Sequence, residues 1–318
     1  LKTLKRNKKI EFNILRLIIT GLLLGYLFYK NDLNEIYQSI TSIAFSSFLF
    51  LNALQLAGIA INALKWKVLL PDQKYFRLIK YNLIGRFYSL IMPGQIGGEI
   101  VKAYLISKNQ DRQERFYISV FIDKITSLLV INILFFMGII FSDRRFPVEI
   151  IWAAVFITLT VFALFFIVRV NYFYQKAISI LENLLKYNFL YSPISNLIKA
   201  VTVWSIYSKK TWQLIQNSSL GIIYQLIAVI IIYSIGREMG LGISFINWVW
   251  LISLVAIVLF LPISLAGLGI REGSFVVLLS LFSVPNEKAV ALSLIFFSLQ
   301  LIASAIGAII EILRKVLE

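Results

Sequence analysis

The chain has 318 residues, of which 59% are hydrophobic and only 15% charged, against about 25% charged in soluble domains, and its mean hydropathy is +0.83. That is the composition of an integral membrane protein. The absence of Cys and His removes disulfides, thiolate nucleophiles and the commonest metal ligand and proton shuttle, so no cofactor and no metal is expected, and paired carboxylates are the remaining route to enzyme chemistry.

The formal net charge of +15 is read as loops facing anionic headgroups, not as a nucleic-acid surface. Residues 1–11 hold five Lys and Arg ahead of the apolar run 12–29, which puts the N-terminus in the cytoplasm by the positive-inside bias. This first run is read as a spanning helix; no small-residue cleavage pattern follows it. Residues 30–41 are then an outside loop. A second helix over 42–63 carries Asn52, Gln55 and Asn62 near one face, suited either to interhelical hydrogen bonds or to a wet cavity. Residues 64–81, with Lys65, Lys67, Lys74, Arg77 and Lys80, are assigned to a cytoplasmic loop.

The run 82–108, NLIGRFYSLIMPGQIGGEIVKAYLISK, is broken by Pro93-Gly94 and Gly97-Gly98 and carries Arg86, Glu99 and Lys102. Basic residues flank it on both sides, so it is expected to enter the membrane and return to the same side. Proline lacks an N–H and glycine tolerates unusual backbone angles, which sets the turn at Pro93-Gly94. Such a re-entrant segment survives at membrane depth only where it is buried in protein or lines water.

A third helix over 117–141 contains Asp123-Lys124, and a fourth over 150–168 returns inward. Residues 169–212 carry helical apolar spacings such as Ile194, Leu197, Ile198 and Val201. They read as amphipathic helices on the inner leaflet or as a linker between two halves. A fifth helix covers 213–235. The stretch 245–284 repeats the broken pattern with Pro262, Gly267, Gly269 and Arg271-Glu272. Either 245–261 spans and 263–284 re-enters from the cytoplasm with the C-terminus outside, or 245–284 is one hairpin entering from outside; the second is preferred, because a last helix over 288–310 then leaves Arg314 and Lys315 in the cytoplasm. On this topology 21 of the 31 Lys and Arg are cytoplasmic, five lie in outside loops and five in membrane segments.

The expected fold is thus an all-α polytopic membrane protein of about six spanning helices plus two broken-helix re-entrant hairpins, an inverted pair if they enter from opposite sides. Residues 1–318 form a single membrane domain: a first half, 1–168, with hairpin 82–108; the cytoplasmic linker 169–212; and a second half, 213–318, with hairpin 245–284. The expected location is the inner, cytoplasmic membrane, with both termini cytoplasmic.

A charge near the bilayer centre costs at least about 2.5–3.5 kcal/mol, so the membrane-segment charges must be paired or hydrated. Arg16 sits near a helix end and can snorkel. Glu99 and Lys102 are i, i+3 and can pair. Asp123-Lys124 and Arg271-Glu272 are sequence neighbours, about 100° apart on a helix, so each is expected to find partners on other elements. An economical arrangement is one network in which Arg271 and Glu272 meet Glu99, Lys102, Asp123 and Lys124. It serves either packing or a binding site. Half-helices that begin mid-membrane also present N–H groups to anions, and broken helices in both halves mark substrate sites in transporters. Arg86, Lys102, Lys124 and Arg271 would suit a phosphate, and Glu99, Asp123 and Glu272 a cationic or hydroxylated headgroup. The small and polar face of the last helix, Ser293, Gln300, Ser304, Gly307 and Glu311, suits helix packing first and the lining of a cavity second.

The strings FYSLIMPGQIGGEIVKAYLISK and LPISLAGLGIREGSFVVLLSLFSV, the Asp123-Lys124 helix between them and the upstream NALKWKVLL resemble the lysylphosphatidylglycerol synthase transmembrane-region family. Its flippase-like members include the membrane half of the multiple peptide resistance factor. The resemblance implies movement of aminoacylated phosphatidylglycerol between leaflets, and in some stand-alone relatives action on polyprenyl-phosphate-linked sugars. The soluble aminoacyltransferase domain of that factor has no counterpart in these 318 residues, so lysyl transfer is not expected. Carried over by position, the lipid-contacting residues are Pro93, Gly94, Gly97, Gly98, Glu99, Lys102, Asp123, Lys124, Pro262, Gly267, Gly269, Arg271 and Glu272; Arg86 joins them from its place in the first hairpin.

The leading functional expectation is a flippase-like protein that binds a phosphate-bearing lipid and moves its headgroup. Two alternatives stand beside it. One is a membrane-embedded transferase with Glu99, Asp123 or Glu272 as general base; the other is an anchor for a soluble cytoplasmic enzyme through 169–212.

Overall fold

The structure is a computed structural model. It describes residues 20–92 except 24 and 28, 95–143 except 109 and 111, 209–317 except 261–263 and 265, and scattered residues between 152 and 207. The expected first and fourth spans and most of 169–212 lie outside the described residues, as do Pro93, Gly94 and Pro262.

The described elements are helical. In chain order they are α1 Leu33–Thr41, α2 Phe45–Leu69, α3 Tyr75–Ile91, α4 Gln95–Ser107, α5 Glu114–Ile140, α6 Thr211–Glu238, α7 Phe245–Leu259, α8 Ile270–Ser280 and α9 Asn286–Leu317. Four of them, α2, α5, α6 and α9, are long and apolar enough to cross a membrane. At 1.5 Å per residue, the 25 residues of α2 reach about 37 Å, more than the roughly 30 Å hydrocarbon core.

Two sequence assignments are corrected. Residues 30–41 are not a loop: Asp32 caps α1, its carboxylate accepting from the Asn34 N–H at 2.7 Å, and Glu35 favours the first turn. Nor is 64–81 a loop. α2 runs on through Lys65 and Lys67, ends just before Pro71, and α3 starts only four residues later at Tyr75. The basic residues misled the assignment because Lys65, 1% exposed, has a partner inside the protein.

The helices connect two ends of the molecule. At one end Arg115 pairs with Asp72, the Tyr207 hydroxyl donates to the Leu69 carbonyl at 2.8 Å, and Arg77 reaches the Ile106 carbonyl. At the other end the Ala44 N–H donates to Glu238, Lys288 to the Met239 carbonyl and Asn247 to Asp143. The hairpin α3–α4 opens at the first end. The hairpin α7–α8 opens at the second, where the rings of Trp250 and Phe282 stack.

Glycine sets the geometry of both hairpins. A Cβ on Gly98 would lie 2.0 Å from the Gly85 carbonyl oxygen, so α3 and α4 touch backbone to backbone. In the second hairpin Gly267 and Gly269 have φ of +76° and +81°, conformations that L side chains rarely adopt, and they turn the chain into α8.

Each hairpin has its own apolar core. Trp66, Leu78, Ile84, Ala103, Ile106 and Phe116 pack around α3–α4, while Phe135, Trp248, Trp250, Leu251, Phe275 and Leu279 pack around α7–α8. Helix α9 contacts both, α8 near its start and α3 further along, where Gly307 fits against the Leu83 carbonyl.

Candidate functional site

The breaks of the two hairpins meet at a cavity of about 250 Å3. Ser89, Leu90 and Glu99 reach it from the first break, and Leu259, Phe260, Ala266 and Arg271 from the second. Its size lies just below the usual range for drug-sized ligands. Of the residues expected at a site, Arg86, Glu99, Asp123, Lys124 and Arg271 all line it.

The charges fall into two regions rather than one network, and the first region holds two separate sets, Glu99 with Lys102 and Lys124, and Asp123 with Lys65. In the first, Glu99 bridges Lys102 at 2.5 Å and Lys124 at 3.1 Å. Lys102 lies below the cavity, over the Trp66 ring at 4.5 Å, and donates to the Asn82 side-chain oxygen at 3.0 Å. Asp123 points away from its neighbour Lys124 and takes Lys65 at 3.1 Å. Lys65 also donates to the Ser127 hydroxyl and the Asp123 carbonyl. The Asn217 amide donates to both the Asp123 carboxylate and the Lys65 carbonyl. This knot ties α2, α5 and α6 together.

In the second region, Arg271 and Glu272 pair with each other at 3.0 Å, contrary to the expectation that each would find its partner elsewhere. Adjacent side chains meet here because α8 begins at this point and Glu272 turns back over the first turn. Its other oxygen accepts the Gly269 N–H at 2.6 Å. The half-helix N-terminus is therefore already supplied with an anion by the chain. Ser293 on α9 donates to Glu272 at 2.9 Å, and Arg271 donates to Ser293 and Gln300 and covers the Phe297 ring at 4.4 Å. Among the described residues no ion pair or hydrogen bond joins the two regions. They are united by the cavity they border.

The remaining expected residues have structural surroundings. Gly97 and Gly98 let the first hairpin close and Gly267 and Gly269 shape the second turn. Glu272, 1% exposed, holds Arg271 and the start of α8.

Tyr224, whose hydroxyl accepts from Arg86 at 2.9 Å, and Lys65, Asn82, Asn217 and Gln225 are not among the residues expected at the site. A signal for some of them was present: Asn217, Gly221, Tyr224 and Gln225 recur at i, i+4, i+7 and i+8 along an otherwise apolar helix, which marks one face. Asn82 sits at the same crossing, its side-chain oxygen shared by Lys102 and Asn62.

Arg86 has no carboxylate partner among the described residues. It and Lys124 are half-buried and face the cavity, whereas Lys65, Lys102 and Arg271 are each 1% exposed. Comparison with known families gives a match over residues 13–307 to the one described as the lysylphosphatidylglycerol synthase TM region. No curated protein and no solved structure matches the chain.

Proposed function

The chain belongs to the lysylphosphatidylglycerol synthase TM-region family, a membrane family related to lipid headgroup handling, and from that premise we propose that it binds a phosphate-bearing lipid and moves the headgroup across the bilayer. The lipid is aminoacyl-phosphatidylglycerol or a polyprenyl-phosphate-linked molecule. The observation that carries the proposal is the cavity between two hairpins that open at opposite ends, bordered by Arg86, Lys124 and Arg271. Broken helices of this kind flank substrate sites near the bilayer midplane in transporters. The site takes the phosphate on Arg86 and Lys124 while the acyl or prenyl chains stay in lipid.

The end carrying Lys67, Lys74, Arg115, Lys209, Lys210, Arg314 and Lys315 is read as cytoplasmic. Hairpin α3–α4 then enters from the cytoplasm and α7–α8 from outside, and the C-terminus lies inside. Accessibility of a C-terminal tag in intact cells tests this orientation; an external tag refutes it.

Function is tested by leaflet exchange of headgroup-labelled phosphatidylglycerol, lysyl-phosphatidylglycerol and polyprenyl phosphate in proteoliposomes. Wild type is expected to exceed protein-free vesicles for at least one of them, and Arg86→Gln to lose about tenfold, the effect of removing roughly 1.4 kcal/mol. Equal rates for wild type and empty vesicles with every lipid would sink the proposal.

A further inference from the structure

We infer that the cavity selects a headgroup of net negative charge and rejects one carrying a lysyl ammonium. This rests on the reading of the cavity as a headgroup site and narrows it by setting aside the aminoacylated lipid left open above.

The argument begins with pairing. Lys65 is matched with Asp123, Lys102 with Glu99 and Arg271 with Glu272. Each pair is neutral as a unit, whichever partner holds the proton. What remains is Lys124, which shares Glu99 with Lys102, and Arg86, which donates to the neutral Tyr224 hydroxyl. Among the described residues at the cavity two cations are left in surplus, and they are the half-buried ones facing it.

Among the described residues each carboxylate at the cavity is already ion-paired with a lysine. Among the described residues the acidic groups lining the cavity are Glu99 and Asp123. Glu99 already holds two lysines, and the Asp123 carboxylate accepts from Lys65 and Asn217. A lysyl headgroup would have to displace one of these internal lysines and leave it buried without its partner, a costly exchange.

An independent observation points the same way. The Asn82 side-chain nitrogen is buried and has no acceptor among the described residues, while its oxygen is fully engaged. It borders the cavity with Arg86. An N–H donor without an acceptor among the described residues, beside a guanidinium whose partner there is the Tyr224 hydroxyl and no carboxylate, matches phosphate oxygens, which only accept. It offers nothing to a second ammonium.

The experiment measures equilibrium binding of purified wild type in neutral nanodiscs to phosphatidylglycerol, polyprenyl phosphate and lysyl-phosphatidylglycerol, alongside their leaflet exchange. At least one anionic lipid is expected to bind about tenfold or more tightly than lysyl-phosphatidylglycerol. Arg86→Glu, which installs a free carboxylate, is expected to narrow or reverse that preference while eluting as a monodisperse species. Lysyl-phosphatidylglycerol binding as tightly as the anionic lipids in wild type overturns the inference, and so does binding of none of them. Selective anionic binding without any exchange supports the inference and overturns the proposed movement instead. Comparison of phosphatidylglycerol with polyprenyl phosphate separates the two lipid sources of the same phosphate chemistry.

Discussion

Lys65 on α2 and Asp123 on α5 face each other at 3.1 Å in an almost fully buried ion pair, with Asn217 of α6 bonded to both residues. Three membrane-crossing helices thus share one charged knot. Breaking a buried pair from one side costs about 3–5 kcal/mol, because the other charge is left uncompensated. Lys65→Met is therefore expected to lower the thermal unfolding temperature in detergent sharply. The double variant Lys65→Met/Asp123→Asn should be more stable than Lys65→Met alone; strictly additive losses would show that the two do not act as a pair.

The glycines of the hairpins separate into those that need to be small and those that do not. An added Cβ on Gly98 collides with the Gly85 oxygen and Ser89, whereas one on Gly273 meets nothing within 4 Å. Gly98→Ala should cost about 1–3 kcal/mol or more by overpacking. Gly273→Ala should be neutral or gain up to about 1 kcal/mol from helix propensity. Thermal shift of the two variants side by side checks this, and equal behaviour would contradict the close approach of α3 and α4.

Glu272 supports both Arg271 and the first turn of α8. Glu272→Ala strands a buried guanidinium and is expected to cost about 3–5 kcal/mol, read as lost yield of monodisperse protein. Glu272→Gln can still accept hydrogen bonds and should recover part of the yield. If Ala and Gln variants expressed like wild type, the pair would be dispensable.

Asp72 lies outside the spans, in the turn between α2 and α3. Burial pushes its carboxyl up, but hydrogen bonds from the Gln73 side chain and Arg115 outweigh that and hold it below the usual carboxylate range. A depressed folded value means that the contribution is present above the unfolded value, near 3.9, and is lost as pH falls through the folded one. Unfolding temperatures of wild type and Asp72→Asn should therefore keep a constant gap from pH 7 to about pH 5 and converge only below about pH 4. The gap should be small, since about half of the Asp72 side chain is exposed. Convergence already at pH 6 would contradict this assignment.

Much of the membrane architecture was legible because long apolar runs and broken runs are strong local signals. The helix now seen at Glu114–Ile140 was expected at 117–141, and the run 245–284 is interrupted between α7 and α8, where Gly267 and Gly269 turn the chain. Lys65 was misplaced because positive charge beside a run normally marks a loop, and its partner Asp123 is 58 positions away. The Glu99–Lys102 pair was readable from i, i+3 spacing, whereas Lys65–Asp123 and Arg86–Tyr224 depend on how helices cross. Sequence spacing carries no record of that crossing. The economical single network failed for a related reason: Arg271 and Glu272 satisfy each other at the start of a helix, and a capping geometry overrode the 100° separation of neighbours.

The chain itself fills the anion position at the start of α8 with the Glu272 carboxylate. A helix end is anchored in the backbone and would grip a phosphate at one fixed depth. With that position taken, the proposed function would leave the attraction to the ends of Arg86 and Lys124, long side chains held by Tyr224 and Glu99 rather than by the backbone. On the function proposed above, a headgroup held by such tethers would stay in contact while it shifts along the membrane normal, so that grip and movement would not oppose each other.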